Sequence, residues 1–172
     1  MILTPIDYPK LGIDDPNWRR YSPAEPKAWH AFWLECGGTA GQGVFLGEGD
    51  TDLSIEPHEF GEIVIVCIGG FPYVIYPDGA IQAVPCDLLG YSQLVNAEET
   101  MLFCNYGELA VIQAGGEVRY APDLALDDLR VVGVSGDTIR LTGLKEFGTD
   151  LEDFSVKVSD LPMVTERMAS DT

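Results

Sequence analysis

The sequence predicts a mainly β protein, an antiparallel sheet structure arranged as a sandwich or a partly open barrel, with few or no helices. Three observations carry that expectation. Apolar runs are short and bounded by glycine turns; the longest, Ile63 to Ile68, has strand length. Apolar residues make up 46% of the 172, enough for a sizeable core. The chain also repeats itself at a spacing of 37 residues.

Shifted by that spacing without a gap, 63–89 falls on 100–126 with seven of twenty-seven positions identical. Cys67 meets Cys104, Gly70 meets Gly107, Val74 and Ile75 meet Val111 and Ile112, Gly79 meets Gly116, Pro85 meets Pro122 and Leu89 meets Leu126. Apolar positions stay apolar, and glycines recur where the chain must turn. Each copy reads as a three-stranded meander. In the first the strands are Glu62 to Cys67, Tyr73 to Tyr76 and Ala80 to Val84, turning at Gly69-Gly70 and Pro77-Asp78-Gly79. Proline presets φ, aspartate bonds nearby backbone and glycine accepts positive φ, so the second turn has a mechanism. In the second copy the strands are Met101 to Cys104, Leu109 to Gln113 and Glu117 to Ala121, with Ala114-Gly115-Gly116 as the tight turn. Leu129 to Val134 and Thr138 to Leu141 flank Ser135-Gly136-Asp137 as a further hairpin, and Phe154, Val156 and Val158 alternate as a last strand.

Before residue 60 two readings compete. Ser22-Pro23-x-Glu25 suits a helix cap, with Trp29, Phe32, Trp33 and Cys36 on one face. Alternatively Trp29 to Leu34 pairs with Gly43 to Gly47 across a glycine-rich loop, and the aromatic content favours these strands. Residues 1–21 hold three prolines and read as an irregular arm covering a sheet edge. Residues 22–168 are expected to form one β-rich domain and 169–172 a loose tail. A repeated meander resembles a propeller blade, but two copies are too few to close a propeller.

Charge is distributed unevenly. No lysine or arginine lies between Lys27 and Arg119, and Ala28 to Val118 carries thirteen of the 28 acids against a net charge of −18. A surface built from that stretch attracts basic partners and repels polyanions. Nucleic acid is disfavoured further because, apart from Arg19-Arg20, the arginines are scattered. The rival meaning of the acidity is solubility, or a saline host. Pro5 and Pro9 interrupt the N-terminus and no apolar run suits a signal peptide or a membrane span, which predicts a soluble cytoplasmic protein with free thiols at Cys36, Cys67, Cys86 and Cys104.

Tests for chemistry find little. A thiol nucleophile needs a base, so Cys36 with His30 or His58 is conceivable, but free cysteine is more often a small buried hydrophobe. The repeat puts Cys67 and Cys104 at equivalent positions, able to meet if the copies pair symmetrically; packing is the simpler reason. No Cys-x-x-Cys pair marks zinc. Glu48-Gly49-Asp50-Thr51-Asp52 lacks the length and closing glutamate of a calcium loop. Asp150-Leu151-Glu152-Asp153 reads the same way, as a solvated loop. Gly37-Gly38-x-x-Gly41-x-Gly43 lacks the lysine of a phosphate loop. A carboxylate pair for glycoside hydrolysis depends on a spatial separation that sequence does not give. Trp18, Trp29 and Trp33 fit a core better than a contact surface.

The positions Gly116, Val118, Arg119, Leu124, Leu126, Asp128-Leu129, Val132, Val134, Asp137, Ile139, Gly143 and Phe154-x-Val156-x-Val158 resemble a group of small uncharacterised bacterial β-rich proteins. The resemblance covers residues 108–160 and implies a β-rich bacterial protein, without a chemistry. The tryptophans usual in that group near Leu126 or Asp127 and near Phe147 are absent.

Together these readings predict no enzyme, no cofactor and no metal. They predict an acidic binding protein whose partner is a basic protein, most concretely a bacterial immunity protein neutralising a cognate toxin. Glu48, Asp50, Asp52, Glu56 and Glu59 are the expected contact residues, with Glu98 and Glu99 second. A DNA mimic blocking a nucleic-acid-binding defence enzyme is the alternative within binding, and a self-assembling β module the alternative outside it.

Overall fold

In the computed structural model, which describes residues 1–6, 18–37, 41–86, 93–97, 99–145 and 150–165, the protein is mainly β. Fifteen strands form four sheets among the described residues. The chain divides into two compact units, Met1–Ala83 and Val84–Thr165. Each is a sandwich of two sheets about its own core, so the sandwich form occurs twice where the sequence reading counted one domain over 22–168.

In the first unit, β3 (Ala28–Glu35) and β4 (Gln42–Glu48) form the antiparallel hairpin expected from the aromatic run. The rival helix does not form; the Ser22 hydroxyl donates to the Ala24 carbonyl at 2.6 Å instead of capping one. The N-terminal arm is not irregular throughout. Its β1 (Ile2–Pro5) pairs antiparallel with β3 and its β2 (Arg19–Tyr21) pairs parallel with β4, so both outer edges of the hairpin are covered. Residues 7–17 lie outside the described residues.

The second sheet is a meander in the order β5-β6-β7-β8, made of β5 (Ile55–Phe60), β6 (Ile63–Ile68), β7 (Phe71–Ile75) and β8 (Ile81–Ala83). Even-numbered Phe32, Leu34, Val44 and Leu46 of the hairpin close on Val64, Val66, Ile68, Tyr73 and Ile75. A fully buried side chain of that size contributes about 1.5–3 kcal/mol, so this layer dominates the unit's stability. Tyr73 crosses the core and donates its hydroxyl to the Gly47 carbonyl at 2.7 Å. On the hairpin's opposite face Trp18 lies against Gly43 and 5.0 Å from Phe45, with Trp33 6.5 Å away. The tryptophans form a second, half-buried apolar layer there.

The second unit opens with a meander ordered β12-β11-β10-β9, from β9 (Gln93–Ala97), β10 (Thr100–Asn105), β11 (Glu108–Gln113) and β12 (Val118–Ala121). A three-stranded sheet follows, β13 (Asp127–Ser135), β14 (Thr138–Leu144) and β15 (Glu152–Lys157). Leu102, Cys104, Leu109 and Val111 pack against Leu129, Val131, Ile139 and Leu141. Val158 does not extend β15 as expected; it begins a single 3-10 turn, Val158–Asp160, and is buried. Beyond it the chain straps the edge of β12, where Tyr120 N–H donates to the Pro162 carbonyl and Val164 N–H to the Val118 carbonyl. The tail at 169–172 lies outside the described residues.

The repeat is legible in the coordinates. Strands β6, β7 and β8 correspond to β10, β11 and β12 at the same spacing, and the second turns close through Gly79 and Gly116 at φ of +83° and +84°. The sequence reading missed β5 and β9, each of which adds a fourth strand to its meander.

Candidate functional site

The predicted contact residues divide between a connection and an edge. Glu48 ends β4, Asp50 and Asp52 lie on the connection to β5, and Glu56 and Glu59 are on β5 itself. Asp50 and Asp52 thus lie on a connection, within the run Glu48 to Asp52 read as a loop, whereas Glu56 and Glu59 lie on a strand.

The connection is fixed by the glycine turn between β6 and β7. Gly49 N–H donates to the Ile68 carbonyl at 3.2 Å and Thr51 N–H to the Gly69 carbonyl at 3.0 Å, while Gly70 N–H returns a bond to the Leu53 carbonyl at 2.8 Å. Gly69 N–H bonds the Ser54 hydroxyl at 3.1 Å, and the Cys67 thiol points at the Leu53 carbonyl at 3.6 Å. The approach leaves no room for side chains. A Cβ on Gly49 would sit 2.4 Å from the Gly69 carbonyl oxygen, and one on Gly69, at φ +56°, would meet Glu48 Cγ at 2.6 Å. Asp50 and Asp52 are thus displayed, exposed, from backbone held at both ends.

The charges are not equivalent. Glu48 Oε2 lies 2.7 Å from His30 Nε2, which engages it within the unit. Asp50, Asp52, Glu56 and Glu59 make no ion pair among the described residues and are exposed. Glu62, exposed in the turn after β5, extends the acidic stretch and was missed because it opens what reads as a buried strand. His58 is exposed on β5 beside Glu59, and Cys36 is buried with its thiol pushed up by desolvation, the reverse of what a nucleophile needs.

Glu99 belongs to a different place, and Glu98 lies outside the described residues. In the second unit a cleft of about 840 Å³ opens among the β9–β10, β11–β12 and β13–β14 turns, lined by Glu99, Gln113, Glu117, Ser135 and Asp137 among others. Two of its carboxylates are already committed. Glu117 accepts from Arg119 Nε, whose Nη1 donates onward to the carbonyls of Ser159 at 3.0 Å and Leu161 at 2.7 Å. Asp137 accepts from the Ser159 N–H at 3.0 Å and hydroxyl at 2.7 Å, bonds that hold its carboxyl below the ordinary value. Those contacts anchor the 3-10 turn and give the cleft a structural explanation.

Cys67 and Cys104 do not pair; they sit in different sheets and both are free and buried. Desolvation pushes each thiol up to about 12. Among the described residues no three His, Cys, Asp or Glu side chains are grouped to hold a metal, and no helix is long and apolar enough to cross a membrane. Compared with protein-family models, with curated proteins and with solved structures, the chain matches none.

Proposed function

We propose that the protein is a non-catalytic binder of a basic protein, most concretely an immunity protein that neutralises a cationic toxin. The observation that carries this reading is the pinned display of Asp50 and Asp52: two exposed carboxylates without ion partners among the described residues, on backbone bonded to the Gly69-Gly70 turn. A partner pays little ordering entropy to such a surface, and the base-free segment around it supplies a field that steers a cation toward it. A nucleic-acid-processing toxin fits because its substrate cleft is itself cationic.

The test begins with capture of the tagged full chain's partner from native lysate at low salt, eluted by a salt gradient. A single basic protein leaving at a defined salt concentration supports the reading; recovery of the chain alone would turn it toward self-assembly. With the partner in hand, Asp50→Asn with Asp52→Asn is expected to slow association about three- to tenfold and flatten its salt dependence. Unchanged association kinetics would remove this connection from the interface.

A further inference from the structure

The turn that pins the first acidic connection has a counterpart in the second unit. At the repeat spacing Gly69-Gly70 becomes Tyr106-Gly107, between β10 and β11. That turn likewise grips the connection between its unit's two sheets. Leu124 N–H donates to the Gly107 carbonyl at 2.7 Å, Leu129 N–H to the Tyr106 carbonyl at 2.5 Å, and the Cys104 thiol to the Leu129 carbonyl at 3.2 Å. Here too the backbones nearly touch, since a Cβ on Gly107 would meet the Ala125 carbonyl oxygen at 2.0 Å. Acids again lie here, Asp123 on the connection and Asp127 and Asp128 at the start of β13.

One difference between the copies stands out energetically. Where the first copy has glycine at φ +56°, the second holds a tyrosine at φ +29°. All three left-handed non-glycine residues among the described residues fall here, Tyr106 in the turn, Asp123 on the connection and Asp128 at the start of β13. Aspartate tolerates that region; a bulky aromatic does so at a cost that glycine would not incur. The tyrosine remains 40% exposed, and Leu126 on the gripped connection is 51% exposed. Strain retained at an exposed aromatic signals a use for the side chain.

We propose that Tyr106, with Leu126 and the carboxylates of Asp123 and Asp127, is a second contact surface for a basic protein, Tyr106 being its aromatic anchor. The inference rests on the reading above for the class of partner. Tyrosine is among the residue types enriched at interface anchors. The rim gives the complementarity: Asp128 is already paired with Arg130 at 2.6 Å, whereas Asp123 and Asp127 have no ion partner among the described residues.

The test uses the isotopically labelled full chain, a synthetic lysine peptide with one central leucine as probe, and the variants Tyr106→Gly and Tyr106→Asn. Amide shifts on titration are expected at Tyr106–Gly107 and Asp123–Asp128. Both variants are expected to melt a few degrees higher, because left-handed strain is relieved, and to bind the peptide about tenfold more weakly at this surface. Two variants are needed because glycine also loosens the unfolded chain, whereas asparagine does not. Lower melting temperatures in both would make Tyr106 a packing residue and overturn the proposal, as would unchanged affinity. Shifts confined to 48–59 would overturn this inference while leaving the proposed function standing; no shifts at either place would count against both. A dimer of the unmodified chain that dissociates in Tyr106→Gly would replace the basic partner with a second copy.

Discussion

A thiol buried away from water stays protonated, and Cys67 and Cys104 are held that way by desolvation, each pushed up to about 12 from an ordinary 9.0. Because the folded value lies above the unfolded one, the favourable contribution is complete below about pH 9 and is lost as pH climbs toward about 12. Alkaline unfolding monitored by circular dichroism should therefore show stability falling across that window, and less steeply in Cys67→Ala with Cys104→Ala. Thiol-specific reagents at neutral pH should label neither cysteine until denaturant is added. At Asp137 the sign is opposite: its depressed value makes the Ser159 contacts a source of stability present above the ordinary carboxylate range and lost as pH falls.

At the scale of elements, the acids of β5 have a structural duty that the sequence does not announce. β5 is the outer strand of its sheet and carries Pro57 within a slip of register between Ile55 and His58. Proline, a bulge and exposed charge are the devices that stop an edge from pairing with another molecule. Glu56 and Glu59 therefore serve edge protection whatever else they bind, which shifts the weight of partner recognition onto Asp50 and Asp52. Glu56→Thr combined with Pro57→Thr should promote concentration-dependent association visible by sedimentation velocity; a variant that sediments as the unmodified chain does would show that the bulge alone protects this edge. The two copies of the repeat also use their strands differently. Val64, Val66 and Ile68 of β6 face the first unit's core, whereas in β10 it is Leu102 and Cys104, the equivalents of Ile65 and Cys67, that face the second's. Both strands are apolar at nearly every position, so nothing in their alternation selects a face.

At the scale of the whole molecule, a net charge of −18 on 172 residues opposes compaction through self-repulsion. Monovalent salt should relieve it, raising the melting temperature by several degrees between about 0.01 M and about 0.5 M as the screening length shrinks from about 30 Å to a few ångströms. A melting temperature indifferent to salt would mean that the carboxylates are spaced widely enough for repulsion not to matter. The same screening should weaken binding to a cationic partner, so stability and affinity are expected to move in opposite directions with salt.

Local pattern and composition were sufficient for the β class, for the three repeated strands of each meander and for the hairpin β3–β4, because glycine turns and short apolar runs act over a few residues. They also set the base-free acidic middle of the chain. They did not expose β1, β2, β5 and β9, whose strand character comes from pairing with neighbours more than from their own composition. Nor did they show that the acidic run is half connection and half edge strand, since a carboxylate's charge is written in the sequence but its exposure and its partners are not. The two-unit division, the opposite faces used by β6 and β10, and the gripping of each acidic connection by the repeat's first turn were decided by tertiary packing. Tyr106 shows why: as a letter it is one of seven tyrosines, and only its left-handed backbone, at the repeat position that Gly69 holds in the first copy, marks it out.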